Sequence, residues 1–316
     1  MVGPVGRARP APSVFRTGIP SLSQILVCGD RELALDRVAI MGVLNLTPDS
    51  FSDGGELLTD DERLNKEALL RRADVMVAEG AAILDLGAES TRPGAKPVSL
   101  PVERDRIVSA IEALRPRFDV VISVDSSQPQ VFTAAAAAGA GLLNDVRALG
   151  LPGAMDAARK TGLPVCLMHM QGEPGTMQKA PRYEDVVTEV VEFLCERLAC
   201  AEASGFHAER LLVDPGFGFG KTLDHNLQLL RGLSRLESLG RPVLVGLSRK
   251  RMIGALTGRA VDERGPGSVA AAALAVMEGA SIVRTHDVRE TLDAVRVAQA
   301  VRGGQEGWSL EVRLDG

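Results

Sequence analysis

The chain has 316 residues, a hydrophobic content of 45% and a formal net charge of −5, which is enough apolar material for one large α/β domain or two ordinary ones. Aromatic residues make up only 3% of the chain, so it lacks the stacking surfaces of a single-strand nucleic-acid binder, and its negative charge argues against a surface that coats polyanions. We therefore expect no nucleic-acid partner, and any cationic site must be concentrated in a local pocket.

Residues 1–35 are expected to form a flexible extension, because residues 1–20 are rich in Gly, Pro and Arg and lack the apolar core of a signal peptide. A basic targeting segment is the alternative. No apolar run is long enough to span a bilayer, so no membrane partner is expected. The four cysteines form no C-x-x-C pair, which favours reduced thiols and a cytoplasmic location.

Short apolar runs alternate with longer amphipathic segments from residue 38 onward, and the pattern repeats eight times. Gly or Pro stops most of the amphipathic segments, as is typical of helix ends. The predicted strands are 38–44, 82–86, 120–124, 141–143, 165–168, 211–213, 243–245 and 281–283. The predicted helices are 60–78, 102–114, 129–138, 155–160, 184–203, 223–239, 268–277 and 288–301.

This alternation predicts an α/β protein with a closed (β/α)8 TIM barrel. A doubly wound sheet is less favoured, because its first turn would carry G-x-G-x-x-G and the chain has no such turn. No low-complexity linker interrupts residues 38–303. We therefore expect a single catalytic domain over residues 36–305, followed by a tail at 306–316.

Polar residues follow all eight predicted strands, which is where a TIM barrel carries its active site. Three of them, Asp125, Asn144 and Asp214, offer hydrogen-bond acceptors at buried strand ends. An ionised carboxylate there is costly unless a ligand presents donors to it. These three residues predict a site for a flat heterocycle with adjacent N–H groups.

Positive charge is predicted at the same end of the barrel from Arg92, Lys250, Arg284 and His286, which together suit a phosphate group. Asn45 follows the first strand and provides a hard oxygen ligand. It could hold Mg²⁺, which keeps several waters and bridges to substrate phosphates. The sequence thus combines a heterocycle site with an anion site.

Ordinary structural roles compete with these assignments. An isolated Asp or Asn after a strand is commonly a helix N-cap, and His169 and His286 lack the H-E-x-x-H spacing of a zinc site. The functional interpretation rests on the separation of acceptors and cations into two coherent sets.

A segment ending in Gly220-Lys221-Thr222 imitates a P-loop. The first glycine of G-x-x-x-x-G-K-[ST] would fall at Pro215, which also removes an amide donor, so nucleotide hydrolysis is not expected. The glycines of this segment would instead let the backbone and Phe219 approach a planar ligand.

These motifs together resemble the dihydropteroate synthase family, a pterin-binding family of (β/α)8 barrels that is the target of sulfonamides. The resemblance spans residues 41–288 in order. It rests on the segments 41–55, 89–94, 123–126, 144–146, 167–172, 214–221, 248–250 and 284–288.

The resemblance implies condensation of 6-hydroxymethyl-7,8-dihydropterin pyrophosphate with p-aminobenzoate by dissociative displacement, in a cytoplasmic homodimer that uses Mg²⁺. The residues implied to act in catalysis are Asp49, Arg92, Lys250, Arg284 and His286. Those implied to bind the pterin are Asp125, Asn144, Met168, Asp214, Phe219 and Lys250. Those implied to bind p-aminobenzoate are Phe51, Thr91, Arg92, Pro93 and Ser248, and the implied magnesium ligand is Asn45.

Two alternatives remain open from the sequence. A methyltransferase-like barrel would share the pterin pocket but need an open entrance for a corrinoid partner. A synthase paralogue that binds pterin without turnover would be expected to lose residues such as Asn45, Arg92, Lys250 and Arg284, which this chain retains.

Overall fold

The structure is a computed structural model, and it describes residues 25–47, 57–59, 61–89, 98–173 and 175–303. Its strands are β1 (Ile25–Cys28), β2 (Arg31–Ala34), β3 (Ala39–Asn45), β4 (Ile83–Gly87), β5 (Val121–Asp125), β6 (Leu142–Asp145), β7 (Val165–Met168), β8 (Leu211–Asp214), β9 (Leu244–Gly246) and β10 (Ile282–Thr285). Its helices are α1 (Lys66–Ala78), α2 (Leu100–Leu114), α3 (Pro129–Ala138), α4 (Ala154–Thr161), α5 (Val186–Ala203), α6 (Leu223–Arg231), α7 (Arg251–Thr257), α8 (Gly265–Met277) and α9 (Val288–Gly303). Short 3-10 helices span Ala208–Arg210, Leu233–Leu239 and Val261–Glu263.

Strands β3 to β10 form one parallel sheet in the order β8-β7-β6-β5-β4-β3-β10-β9. The two edges of this sheet meet where Val213 of β8 pairs with Val243 just before β9. The amide of Val213 donates to the carbonyl oxygen of Pro242 at 3.0 Å. The predicted (β/α)8 barrel is confirmed, with its strands largely buried on both faces as parallel strands require.

Most strands continue past the end that their apolar run predicts. Asn45, Asp125 and Asp214 are the last residues of β3, β5 and β8, not the first residues of loops. The strands can keep pairing through these polar residues because Asn45 and Asp125 line a cavity and the buried carboxylate of Asp214 accepts from the amide of Gly216. The candidate site residues are therefore held by strand backbone.

Helix boundaries depart from the sequence pattern at three places. The first helix begins at Lys66 and not near residue 60, because the side chain of Asn65 caps it by accepting from the amide of Ala68 at 3.1 Å. The helix predicted over 223–239 stops at Arg231 and continues as a 3-10 turn. Gly232 separates the two parts, and a Cβ there would lie 2.9 Å from Val187. Helix α7 was not predicted at all.

None of the helices in these described ranges has both the length and the apolar character needed to cross a membrane.

A β-hairpin of β1 and β2 lies where the sequence predicted part of a flexible extension, so that prediction is wrong for residues 25–34. The turn is only two residues long and uses Gly29 at φ +69°, a conformation that glycine adopts without strain. Arg115 ties the hairpin to the barrel through Asp30, at 2.7 and 3.0 Å. Residues 1–24 and 304–316 lie outside the described residues.

The hairpin closes the amino-terminal end of the barrel. Alternate residues of β1 are buried, and they join a cluster built mainly from the first residues of the barrel strands. This cluster contains Leu26, Cys28, Leu33, Ala39, Met41, Ile83, Val121, Leu142, Cys166, Leu212, Leu244 and Ile282.

We predict that Leu26→Ala lowers the free energy of unfolding by about 2–5 kcal/mol, the usual cost of emptying a fully buried leucine site. Leu26 is 0% exposed, whereas its neighbour Val27 is 46% exposed. Val27→Ala is therefore the matched control and should change stability by less than about 1 kcal/mol. Urea denaturation followed by circular dichroism measures both variants. Equal effects would show that the hairpin does not seal the barrel.

Candidate functional site

A cavity of about 880 Å³ opens at the carboxyl ends of the barrel strands. Most of the residues lining it come from the ends of β3, β4, β5, β9 and β10 and from the segments that follow β7, β8 and β9. The predicted site residues among them are Asn45, Asp125, Phe219, Ser248, Lys250, Arg284 and His286.

The pairing register of the strands brings several predicted residues to one level. Asn45 pairs with Gly87, Gly87 with Asp125, and Asp125 with Asn144. Gly87 lines the cavity and has no side chain, so space remains between Asn45 and Asp125. A one-residue slip would turn these side chains out of the barrel. The register therefore places Asn45 and Asp125 on one side of the cavity, with Asn144 on the strand next to Asp125.

Arg284 crosses the interior of the barrel and joins two carboxylates. Its Nε donates to Oδ2 of Asp85 at 2.6 Å, and its Nη2 donates to Oδ2 of Asp125 at 3.1 Å. Asp85 is completely buried on β4. A buried carboxylate needs such a partner, because an uncompensated charge in the interior is costly. Arg284 thus lines the cavity, as its predicted role requires, and it also compensates the charge of Asp85 inside the barrel.

Asp85 was missed from the sequence. It lies within the apolar run of β4, and the pattern of that run was interpreted only as a buried strand. A single acidic residue inside such a run signals a buried cationic partner elsewhere in the barrel, and that signal was available.

Burial dominates the electrostatics of the acceptors Asp125 and Asp214. It raises the pKa of Asp125, while the guanidinium of Arg284 opposes this rise. Burial also raises the pKa of Asp214 to about 6, although the amide of Gly216 donates to its Oδ1 at 2.7 Å. Among the described residues, Oδ1 of Asn144 is buried without a hydrogen-bond partner. These acceptors are therefore suited to a ligand that brings its own N–H donors.

Asn144, Asp214 and Met168 stand beside the cavity but are not among the residues that line it. Met168 pairs with Asp214 across β7 and β8 and is 3% exposed. The other predicted residues, Asp49, Phe51, Thr91, Arg92 and Pro93, lie outside the described residues.

The glycine-rich segment after β8 forms a tight turn. Gly216, Gly218 and Gly220 all have positive φ angles between 61° and 81°. A Cβ on Gly216 would lie 1.9 Å from the carbonyl oxygen of His169, and one on Gly220 would lie 2.3 Å from that of Gln171. Glycine is therefore required here for close backbone packing against the loop after β7.

The same turn presents Phe219 to the cavity. The ammonium group of Lys250 lies 4.2 Å from the centre of the Phe219 ring, which is a cation–π arrangement. The ring and the ammonium group are both cavity-lining. The two residues predicted to contact a planar ligand thus form one surface.

Ser248 and His286 form a second pair at the cavity. Oγ of Ser248 lies 2.9 Å from Nδ1 of His286, and the amide of His286 donates to the same Oγ at 3.2 Å. Arg249 follows Ser248 in the chain, has a φ of +56° and forms an ion pair with Asp287 at 2.5 Å. A positive φ strains a non-glycine residue by about 1–3 kcal/mol. The ion pair holds the Ser248 turn in place against this strain.

Asp145 follows Asn144 and holds the loop after β6. Its Oδ1 accepts from Oγ of Ser127 at 2.5 Å and from the amide of Arg147 at 2.8 Å, and its Oδ2 accepts from the amide of Leu149 at 2.7 Å. Asp145 therefore caps the loop, whereas its neighbour Asn144 keeps an acceptor for a ligand. The sequence alone does not show which of these two neighbouring residues has which role.

Comparison with known proteins agrees with this geometry. The family model described as Pterin binding enzyme matches residues 41–286. Dihydropteroate synthase of Escherichia coli (strain K12) is 49% identical over 279 residues, which cover 88% of this chain and 97% of that protein.

Solved structures give the same result. A Xanthomonas albilineans dihydropteroate synthase with 4-aminobenzoic acid has a TM-score of 0.82 and 50% identity, over 90% of this chain and 100% of that one. The same organism's enzyme in complex with 7,8-dihydropteroate has a TM-score of 0.78 and 48% identity, over 89% and 99% of the two chains. Because the match covers nearly all of these proteins and includes the strand ends that build the cavity, the chain belongs to the pterin-binding enzyme family, among the dihydropteroate synthases.

Proposed function

We propose that this chain condenses 6-hydroxymethyl-7,8-dihydropterin pyrophosphate with p-aminobenzoate and releases 7,8-dihydropteroate and pyrophosphate. The observation that carries the proposal is a set of acceptors, the buried Asn144 and Asp214 and the partly exposed Asp125, at a cavity lined by Asp125, Lys250 and Arg284. The related structures that hold 4-aminobenzoic acid and 7,8-dihydropteroate support the assignment of substrate and product.

The acceptors would bind the pterin ring. A pterin presents adjacent ring and exocyclic N–H groups along one edge, and buried oxygen acceptors favour a ligand that satisfies them in this way. Phe219 and Met168 would contact the flat faces of the ring, and Lys250 would bind its polar edge. The same acceptors would be left unpaired by a ligand without these N–H groups, which gives specificity.

The cationic side chains would bind the leaving group. By family resemblance, Arg284 and His286 would hold the pyrophosphate with help from the segment around Asp49, and this placement stabilises the negative charge that develops as the C–O bond breaks. The electron-rich pterin carries the positive charge on its exocyclic methylene group. Since Arg284 also pairs with Asp85 and Asp125, its position is fixed before the substrate arrives.

The second substrate would bind on the Ser248 side of the cavity. By family resemblance, Phe51, Thr91, Arg92 and Pro93 complete this side. The neutral aniline nitrogen is already a competent nucleophile, so it can attack the methylene carbon without a dedicated general base. Holding both substrates in line accounts for much of the acceleration expected.

Mg²⁺ is proposed as the metal. Mg²⁺ takes few protein ligands and binds largely through water and phosphate. Asn45 lines the cavity and would be its protein ligand. The ion would supply charge neutralisation for the pyrophosphate.

We place the enzyme in the cytoplasm, where reduced thiols are the rule. Cys28, Cys166, Cys195 and Cys200 are all free thiols.

The test of function supplies pterin pyrophosphate, p-aminobenzoate and Mg²⁺ and measures pyrophosphate release. We expect release that depends on p-aminobenzoate, appears with 7,8-dihydropteroate, and falls when EDTA removes the metal. Release that proceeds without p-aminobenzoate would contradict the synthase. Pterin binding without any release would instead favour the non-catalytic paralogue.

We also propose that two copies of the chain associate through α8 and α9. These helices pack against each other and leave large apolar side chains exposed. Leu274 and Met277 lie on one face of α8, and Val297 and Val301 lie on one face of α9, with exposures from 40% to 69%. Such a surface suits a self-complementary interface between two copies.

Val297→Asp is expected to convert the dimer to a monomer, because it buries an unpaired charge at the proposed interface. Light scattering coupled to size-exclusion chromatography measures the molar mass. Val75→Asp is the matched control, because Val75 is an exposed valine of α1, and it should leave the dimer intact. A monomeric unmodified chain at micromolar concentration would overturn the proposal.

A further inference from the structure

Lys221 ends the glycine-rich turn and has no part in the reaction as proposed. It is 3% exposed. Its Nζ contacts three polar atoms, namely Nδ1 of His169 at 2.8 Å, the carbonyl oxygen of Gly216 at 2.9 Å and that of Phe219 at 3.2 Å. An ammonium group has three donors, so the charged form satisfies all three contacts.

His169 is held as a neutral acceptor. An ammonium group cannot accept a hydrogen bond, so Nδ1 of His169 must be the unprotonated nitrogen. Burial and the charge of Lys221 lower the pKa of His169 to about 3, so the imidazole is neutral in the physiological pH range. The imidazole also packs edge-on against Phe193, with ring centres 4.9 Å apart. His169 therefore offers Lys221 a fixed lone pair.

The two carbonyl contacts place Lys221 inside the turn that supports the pterin site. The amide of Phe219 donates to the carbonyl oxygen of Gly216 at 3.1 Å, and this closes the turn. At one end, the amide of Gly216 binds the carboxylate of Asp214. At the other end, Phe219 faces Lys250. Movement of the Lys221 ammonium group would thus displace both ends.

The charge of Lys221 also acts on Asp214. Lys250, Lys221 and Arg284 each lower the pKa of that carboxyl against the larger effect of burial. In return, Asp214 raises the pKa of Lys221, whereas burial and Lys250 lower it to about 7. Lys221 therefore favours the ionised form of Asp214 below neutral pH.

We propose that Lys221 is a positioning residue of the pterin site, whose ammonium group holds the turn from Gly216 to Phe219 and thereby orients the carboxylate of Asp214 and the ring of Phe219. This inference rests on the proposed function, because it assigns a role toward the same pterin. A lysine that merely stabilised the fold would have no selective effect on either substrate.

The test compares Lys221→Met, which keeps the length of the side chain and removes its charge, with Lys221→Arg, which keeps the charge. Lys160→Met is the matched control, because Lys160 is an exposed lysine of α4. Steady-state kinetics gives KM for each substrate, and titration calorimetry gives the affinity for 6-hydroxymethylpterin between pH 5 and pH 8.

We expect Lys221→Met to raise KM for the pterin substrate on the order of tenfold or more, since a supporting residue that lets a binding group drift has effects of this size. KM for p-aminobenzoate should stay unchanged. The loss of pterin affinity on acidification should begin at a higher pH in this variant, because Asp214 loses a nearby cation. Lys221→Arg should restore the pH dependence, and Lys160→Met should match the unmodified chain.

Two results with Lys221→Met would overturn the inference: equal rises in both KM values, or a loss of pterin affinity on acidification that begins at the same pH as in the unmodified chain.

If Lys221→Met does not fold, the unmodified protein still decides the question. At pH 6, ¹⁵N NMR should show Nδ1 of His169 unprotonated, and a protonated Nδ1 would contradict an ammonium group at Lys221. An unmodified chain that binds no pterin would instead refute the proposed function.

Discussion

The active site depends on the guanidinium group of Arg284, which is held inside the barrel by Asp85 and Asp125 at 2.6 and 3.1 Å. Removing one partner of such a buried pair typically costs about 3–5 kcal/mol, because the remaining charge is left uncompensated. The three residues come from β10, β4 and β5, so the interaction fixes the relative positions of three strands. It also sets a charge pattern in which Asp85 is buried inside the barrel, while Asp125, Lys250 and Arg284 line the cavity.

This charge pattern accounts for the chemistry. Burial favours the protonated forms of Asp125 and Asp214, and the surrounding cations oppose that effect. A pterin that donates hydrogen bonds to these oxygens would favour their ionised forms. Substrate binding and ionisation are therefore linked. The polar groups are held by strand ends and by a tight glycine turn, so little rearrangement is needed when the ring binds.

Much of this architecture could be predicted from the sequence, because eight repeats of apolar run and amphipathic segment specify a barrel, and a barrel specifies where its polar strand ends meet. Seven predicted residues line the cavity. Asp85 and Lys221 were not assigned roles, because their partners are distant in sequence: Asp85 pairs with Arg284, and Lys221 contacts His169. The hairpin at residues 25–34 was missed because its burial comes from the barrel and not from its own short pattern.

The most direct test of this account is the proton balance of pterin binding, measured by titration calorimetry of 6-hydroxymethylpterin in buffers of different ionisation enthalpy. Because the pKa of Asp214 is about 6, its ionisation on binding at pH 6 should release up to about half a proton. The release should disappear near pH 8, where the carboxylates are already ionised, and should diminish in Asp214→Asn. Binding at pH 6 with no proton release, or with proton uptake, would contradict the account.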